Sequence, residues 1–277
     1  MKKIYTTLLD VETLRDHLLD ENLVIVDCRF SLAEPELGPQ QYLEAHIPRA
    51  VYAHLDNELS SAPVTDHGRH PLPSPATMSM VFSRLGIDEG TQVVAYDSNN
   101  GVYASRLWWM LNYMGHSAVA VLDGGWQAWV EMGQAVKTGE ETNNPALFTG
   151  SPNSDMLVVL DDVLAQPLLV DSRGPARYRG EEEPIDPVAG RIPGAVNFFY
   201  QQHWENGRYK PAMEMKENLE TVFGDVSPEE VTFYCGSGVS ACVNLLAYKH
   251  AGFGNGRLYV GSWSEWCSDP SRPQEKG

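Results

Sequence analysis

The chain has 277 residues, of which 43% are hydrophobic and 10% aromatic, enough to fill ordinary cores and to exclude wholesale disorder. Its 20 Lys+Arg stand against 37 Asp+Glu, a formal net charge of −17, which argues against nucleic acid or an anionic membrane as main partner, because both need a positive surface. No apolar run approaches the roughly 20 residues that span a bilayer, so a soluble cytoplasmic protein is expected.

At the N-terminus, MKKIYTTLLDVETL meets Asp10 and Glu12 before any apolar core of signal-peptide length. The runs LVIVD (Leu23–Asp27) and QVVAYD (Gln92–Asp97) read as buried parallel strands. VYASRLWWMLNYMG (Val102–Gly115) reads as a glycine-ended helix, and AVAVLDGGW (Ala118–Trp126) as a short strand before a helix at Gln127–Met132. The stretch Gln134–Asp155 is rich in turn formers and lacks periodicity. Beyond it come strands at Pro167–Asp171 and Glu230–Cys235, a helix over Ala241–Gly252 and a strand at Arg257–Gly261. Alternating strands and helices imply α/β halves with mainly parallel sheets.

The chain also repeats itself. Val26-Asp27-Cys28-Arg29 recurs as Val170-Asp171-Ser172-Arg173, and Ile47-Pro48-Arg49-Ala50-Val51 as Ile192-Pro193-Gly194-Ala195-Val196. Tyr96-Asp97 pairs with Tyr234-Cys235, and Gly125-Trp126 with Ser262-Trp263. Matches in one order at slowly drifting offsets mark a duplicated domain of about 130 residues. The halves are expected at 1–140 and 157–277, joined by a linker over 141–156.

Cys28, Cys235, Cys242 and Cys267 form no Cys-x-x-Cys pair, so neither a disulfide framework nor a zinc site is expected. Cys28 and Cys267 read as structural, and Cys242 as core or as a partner for Cys235. Cys235 differs, because it ends a strand and opens CGSGVSA before a helix. At that place a thiol faces the positive end of the helix, and Gly236 and Gly238 let successive N–H groups turn inward as an anion nest. Both effects favour the thiolate, which is the nucleophile. Ser237 and Ser240 donate to that anion or cap the helix, two roles that do not exclude each other. A phosphatase on such a loop wants an arginine six residues after the cysteine; position 241 is Ala241, and phosphate-monoester hydrolysis is disfavoured.

Arg173, Arg177 and Arg179 cluster in VDSRGPARYRG. Their guanidiniums either hold an anionic substrate or pair with the adjacent Glu181–Glu183 run, itself expected to be solvated. In TDHGRHPLP (Thr65–Pro73), His67 and His70 flank Arg69. Those histidines are either plain surface groups or part of a site, and Arg69 is a cation able to draw in an anion.

The loop CGSGVSA, the repeated VDxR and IPxAV blocks and GSWSEW (Gly261–Trp266) resemble the two-domain rhodanese family of sulfurtransferases, through nearly the whole chain. The resemblance implies two tandem rhodanese-like α/β domains, each a mainly parallel sheet flanked by helices. Only the second would hold the nucleophile, since Asp97 stands where the first would carry it; the first would be silent but able to wall the site. It implies further that Cys235 takes the sulfane sulfur of thiosulfate or 3-mercaptopyruvate as a persulfide and passes it to cyanide or a thiol. The alternative is a carrier that hands the sulfur to a protein partner. The persulfide would rest on the loop from Gly236 through Gly238, Val239, Ser240 and Ala241, with no metal or organic cofactor. The neutral loop is similar to that of the mercaptopyruvate enzymes. By the same resemblance Arg177 holds the donor, and Asp56, His70 and Ser237 form a proton relay. Where the mercaptopyruvate pattern carries a second arginine, this chain has Asp186.

Overall fold

The computed structural model describes residues 3–63 and 67–277; Thr65 and Asp66 of the histidine segment lie outside them. The chain divides into two compact units. Unit 1 takes in residues up to Ser60, Pro73–Asn153 and Asn206–Tyr209, and unit 2 takes in Ser61–Leu72, Ser154–Glu205 and Lys210–Gly277. The His70 segment, which the contiguous division at 1–140 leaves in the first half, thus belongs to unit 2.

Unit 1 has strands β1 (Leu8–Leu9), β2 (Leu23–Asp27), β3 (Ala50–Tyr52), β4 (Gln92–Tyr96) and β5 (Val119–Leu122) in the order β1-β5-β4-β2-β3. All neighbouring strands run parallel. Its helices are α1 (Val11–His17), α2 (Leu37–Glu44), α3 (Pro75–Arg84), α4 (Val102–Tyr113) and α5 (Gly125–Glu131). Asp10 and Ser74 cap α1 and α3 by accepting from Thr13 and Thr77 N–H. Every residue of β2 and of α4 is buried, so their apolar runs are continuous rather than alternating.

Unit 2 repeats the plan with β6 (Leu157–Val158), β7 (Leu168–Asp171), β8 (Val196–Asn197), β11 (Val231–Tyr234) and β12 (Arg257–Tyr259), again all parallel, in the order β6-β12-β11-β7-β8. The two-residue strands β9 (Trp204–Glu205) and β10 (Arg208–Tyr209) lie outside both sheets. Helices α6 (Pro175–Tyr178), α7 (Ala212–Phe223), α8 (Ala241–His250) and α9 (Ser262–Trp266) complete it. Among the described residues no helix is long and apolar enough to cross a membrane.

The repeated VDxR blocks are buried ion pairs. Arg173 donates to both oxygens of Asp171, to Gly190 O at 2.7 Å and to Glu183 at 3.2 Å, with its guanidinium 4.9 Å from the Trp263 ring centroid. Arg29 grips Asp27 and faces Trp126 at 4.4 Å in the same way. Burial opposes the charge on Arg173, but Asp171, Tyr234 and Glu183 outweigh it and raise its pKa. Arg173, one of the arginines expected at a substrate, is therefore scaffold: it is 2% exposed and its donors are committed.

Breaking such a pair strands a buried charge. Asp171→Ala is expected to destabilise unit 2 by about 3–5 kcal/mol in equilibrium denaturation; a loss below about 1 kcal/mol would show that the pair holds nothing together.

Candidate active site

Strand β11 delivers Cys235 to its carboxyl end, where α8 begins. Residues after β12 fasten that end: Ser262 Oγ accepts from Cys235 N–H at 3.1 Å, Trp263 N–H donates to Cys235 O at 3.0 Å, and Ser264 N–H to Gly236 O at 2.8 Å. Gly238 has φ +73°, and a Cβ there would lie 2.3 Å from Val260 O, so only glycine fits this turn.

Cys235 is 1% exposed. Burial opposes its charge, but the Ser240 hydroxyl and the N–H groups of Ser237, Ala241 and Val239 outweigh burial and hold the thiol below its ordinary pKa. Among the described residues the Ser240 side chain makes no capping hydrogen bond to α8, and its hydroxyl faces Cys235 instead. Cys28 and Cys267 behave oppositely, with burial pushing both thiols up. Cys242 is buried in α8, with Sγ 3.4 Å from Gly238 O.

Unit 1 contains the same nest with a different charge in it. Asp97 accepts from the N–H groups of Asn99 at 2.7 Å, Gly101 at 2.9 Å, Tyr103 at 2.8 Å and Ala104 at 2.9 Å. The first three lie two, four and six residues after Asp97, the spacing at which Ser237, Val239 and Ala241 follow Cys235. Burial raises the Asp97 carboxyl's pKa despite these donors. A carboxyl side chain thus occupies the first nest.

His70 and Ser237 come together, with Nδ1 and Oγ 2.8 Å apart. Asp56 belongs to unit 1, where its N–H donates to His54 Nδ1 at 3.1 Å; burial raises its pKa. His67 is exposed, 3.7 Å from Glu265.

Arg177 donates to Glu183 at 2.6 and 3.1 Å and to Asp186 at 3.2 Å. Asp186 also pairs with Arg69. A methyl group on Gly236 would lie 2.9 Å from Arg69 Nη2 and 3.4 and 3.6 Å from the two terminal nitrogens of Arg177, so both guanidiniums converge beside Cys235. Arg179 is elsewhere, in an exposed pair with Glu181 at 2.7 Å. The expectation of solvated carboxylates at Glu181–Glu183 fails for Glu183, whose side chain is 3% exposed between Arg173 and Arg177. Sequence reasoning missed the bridging part of Asp186, noting it only as an arginine's absence.

Comparison with known proteins accords with this arrangement. The family described as "Rhodanese-like domain" matches residues 10–132 and 157–269. A Pseudomonas aeruginosa protein named "Probable 3-mercaptopyruvate sulfurtransferase" is 42% identical over 98% of both chains. The thiosulfate sulfurtransferase of Rattus norvegicus is 31% identical over 92% of this chain and 88% of its own. The structure of 3-mercaptopyruvate sulfurtransferase from Leishmania major superposes with a TM-score of 0.84 at 33% identity, covering 94% of this chain and 74% of that one. With both halves matched and relatives alike along their length, the chain belongs to the rhodanese family and is a two-domain sulfurtransferase.

Proposed function

We propose that unit 2 moves a sulfane sulfur from thiosulfate or 3-mercaptopyruvate to cyanide or a small thiol through a persulfide on Cys235, and that unit 1 is catalytically silent. The observation that carries this reading is the Cys235 thiol, held below its ordinary pKa in a nest of N–H groups beside two guanidiniums. The relatives named for these two donors support the choice of substrates. The filled nest at Asp97, a side chain that forms no persulfide, supports the silence of unit 1.

With thiosulfate, the Cys235 thiolate attacks the terminal sulfur; the donor's S–S bond breaks, and its electron pair leaves with sulfite. With 3-mercaptopyruvate, the thiolate attacks the thiol sulfur, and the C–S electron pair passes to carbon as the enolate of pyruvate. The thiol proton ends on that carbon, and the Ser237–His70 pair is the route proposed for it. The terminal sulfur of the persulfide inherits the negative charge and the N–H nest. Cyanide or a thiolate then attacks that sulfur, and the S–S pair returns to Cys235. One difficult transfer becomes two easier ones.

Cys235→Ser is expected to abolish thiocyanate formation from either donor, and the wild type to give parallel double-reciprocal lines when donor and cyanide are varied. Activity retained in Cys235→Ser would sink the covalent mechanism. If the persulfide forms but no small acceptor discharges it, the carrier reading replaces the enzymatic one.

Because the thiol's pKa lies below its ordinary value, lowering the pH through it removes the nucleophile, and alkylation by iodoacetamide should slow with it. Ser240→Ala removes a hydrogen bond to the anion, worth roughly 1.5–3 kcal/mol. It should cut the alkylation rate at neutral pH about tenfold or more, with recovery at higher pH. An unaltered pH profile would remove Ser240 from the site.

A further inference from the structure

We infer that Arg69 is the second cation of the donor site, supplied by the segment Ser61–Leu72, and that Asp186 holds it beside Arg177 until the oxygens of a donor anion take the carboxylate's place. The inference rests on the sulfur-transfer reading above and deepens it, naming a specificity-determining residue and the chemistry it selects.

Four observations meet at Arg69. Its Nη2 lies over Gly236, the residue after the nucleophile, next to the terminal nitrogens of Arg177. A single carboxylate bridges the two guanidiniums, with Asp186 Oδ1 taking Arg69 and Oδ2 taking Arg177. That bridge marks where two oxygens of a thiosulfate or a carboxylate would sit. Among the described residues, Arg69 Nε is buried with no hydrogen-bond partner, a costly state that an arriving oxygen would relieve. Finally, the backbone is fastened to the nucleophile's loop. Arg69 N–H donates to Ser264 Oγ at 3.1 Å, Ser264 N–H donates to Gly236 O at 2.8 Å, and the next residue, His70, meets Ser237. Burial lowers the Arg69 pKa, the Cys235 thiolate raises it and Arg177 lowers it, in keeping with one shared cluster.

The charges explain why Asp186 must yield. Arg69 and Arg177 are balanced by Glu183 and Asp186, and the Cys235 thiolate adds one negative charge. A donor anion entering beside all of these would be repelled. If it displaces Asp186 from the bridge, it gains two guanidiniums already aligned. Glu183 stays, because Arg173 holds it as well.

The test is single-turnover sulfur loading of Cys235 in the full chain, with thiosulfate and with 3-mercaptopyruvate. Arg69→Ala is expected to raise the half-saturating donor concentration about tenfold or more, while the limiting rate moves less than about threefold. Arg69→Lys, which keeps the charge but not the planar fork, should fall between. Asp186→Asn should lower the half-saturating concentration. Were the pair only a brace for its segment, both substitutions would raise it together; that result, or no change in Arg69→Ala, overturns the inference. Alkylation of Cys235 by iodoacetate and by iodoacetamide, alike in shape but different in charge, reads the same cations without sulfur transfer. The wild-type preference for the anionic reagent should fall about tenfold in Arg69→Ala, and an unchanged ratio overturns the inference even if neither donor loads. Failure to load, with that ratio shifted, counts against the sulfur-transfer reading alone.

Discussion

A ring of backbone N–H groups around one negative charge is the constraint on which both units depend. A sharp turn at the end of a central parallel strand points these donors inward, and buried donors without an acceptor are costly. Unit 1 meets the demand with the carboxylate of Asp97, held by four N–H groups. Unit 2 meets it with the thiolate of Cys235, where the same spacing of donors overcomes the penalty of burial. The turn is held by Gly238 pressed against Val260 and by the Ser262–Ser264 backbone on the Cys235 strand end. The two units thus share three N–H donors at the same spacing around different groups: a carboxyl side chain closes the first nest, and a thiolate leaves the second nucleophilic.

The net charge of −17 sets a problem for an enzyme with anionic donors. Against that global charge, the guanidiniums of Arg69 and Arg177 lie together over Gly236, the residue that follows Cys235, a local concentration of positive charge. Two guanidiniums packed together need carboxylates, and Glu183 and Asp186 supply them. The two carboxylates differ in attachment. Glu183 is shared with Arg173, whose own partner Asp171 ends strand β7, so it is tied to the scaffold. Asp186 touches only the two cations of the site among its ion pairs in the described residues.

Much of this was legible in the linear sequence. Runs such as LVIVD and EVTFYC admit one reading as strands covered on both faces, and β2 and β11 are buried throughout. Blocks repeated in order disclosed the duplication, and Cys235 stood out because a thiol between a buried strand and a glycine turn has few structural uses. The two-residue strands β1, β6 and β8 are too short for any period to appear. The partition of charge was also hidden. Arg69 and Asp186 are 117 positions apart, and no local pattern tells which carboxylate a guanidinium will meet. Among three arginines in one short stretch, only the fold separates Arg173, buried against Asp171, and Arg179, exposed with Glu181, from Arg177, which lies beside Gly236.

The central claim, that the nest of unit 2 exists to carry sulfur on Cys235, is tested most directly by mass spectrometry of the full chain after brief exposure to donor. The account predicts that the peptide holding Cys235 gains one sulfur atom, that cyanide removes it, and that peptides holding Cys28, Cys242 and Cys267 gain none. A chain that takes up no sulfur, or takes it up at another cysteine, would contradict the account.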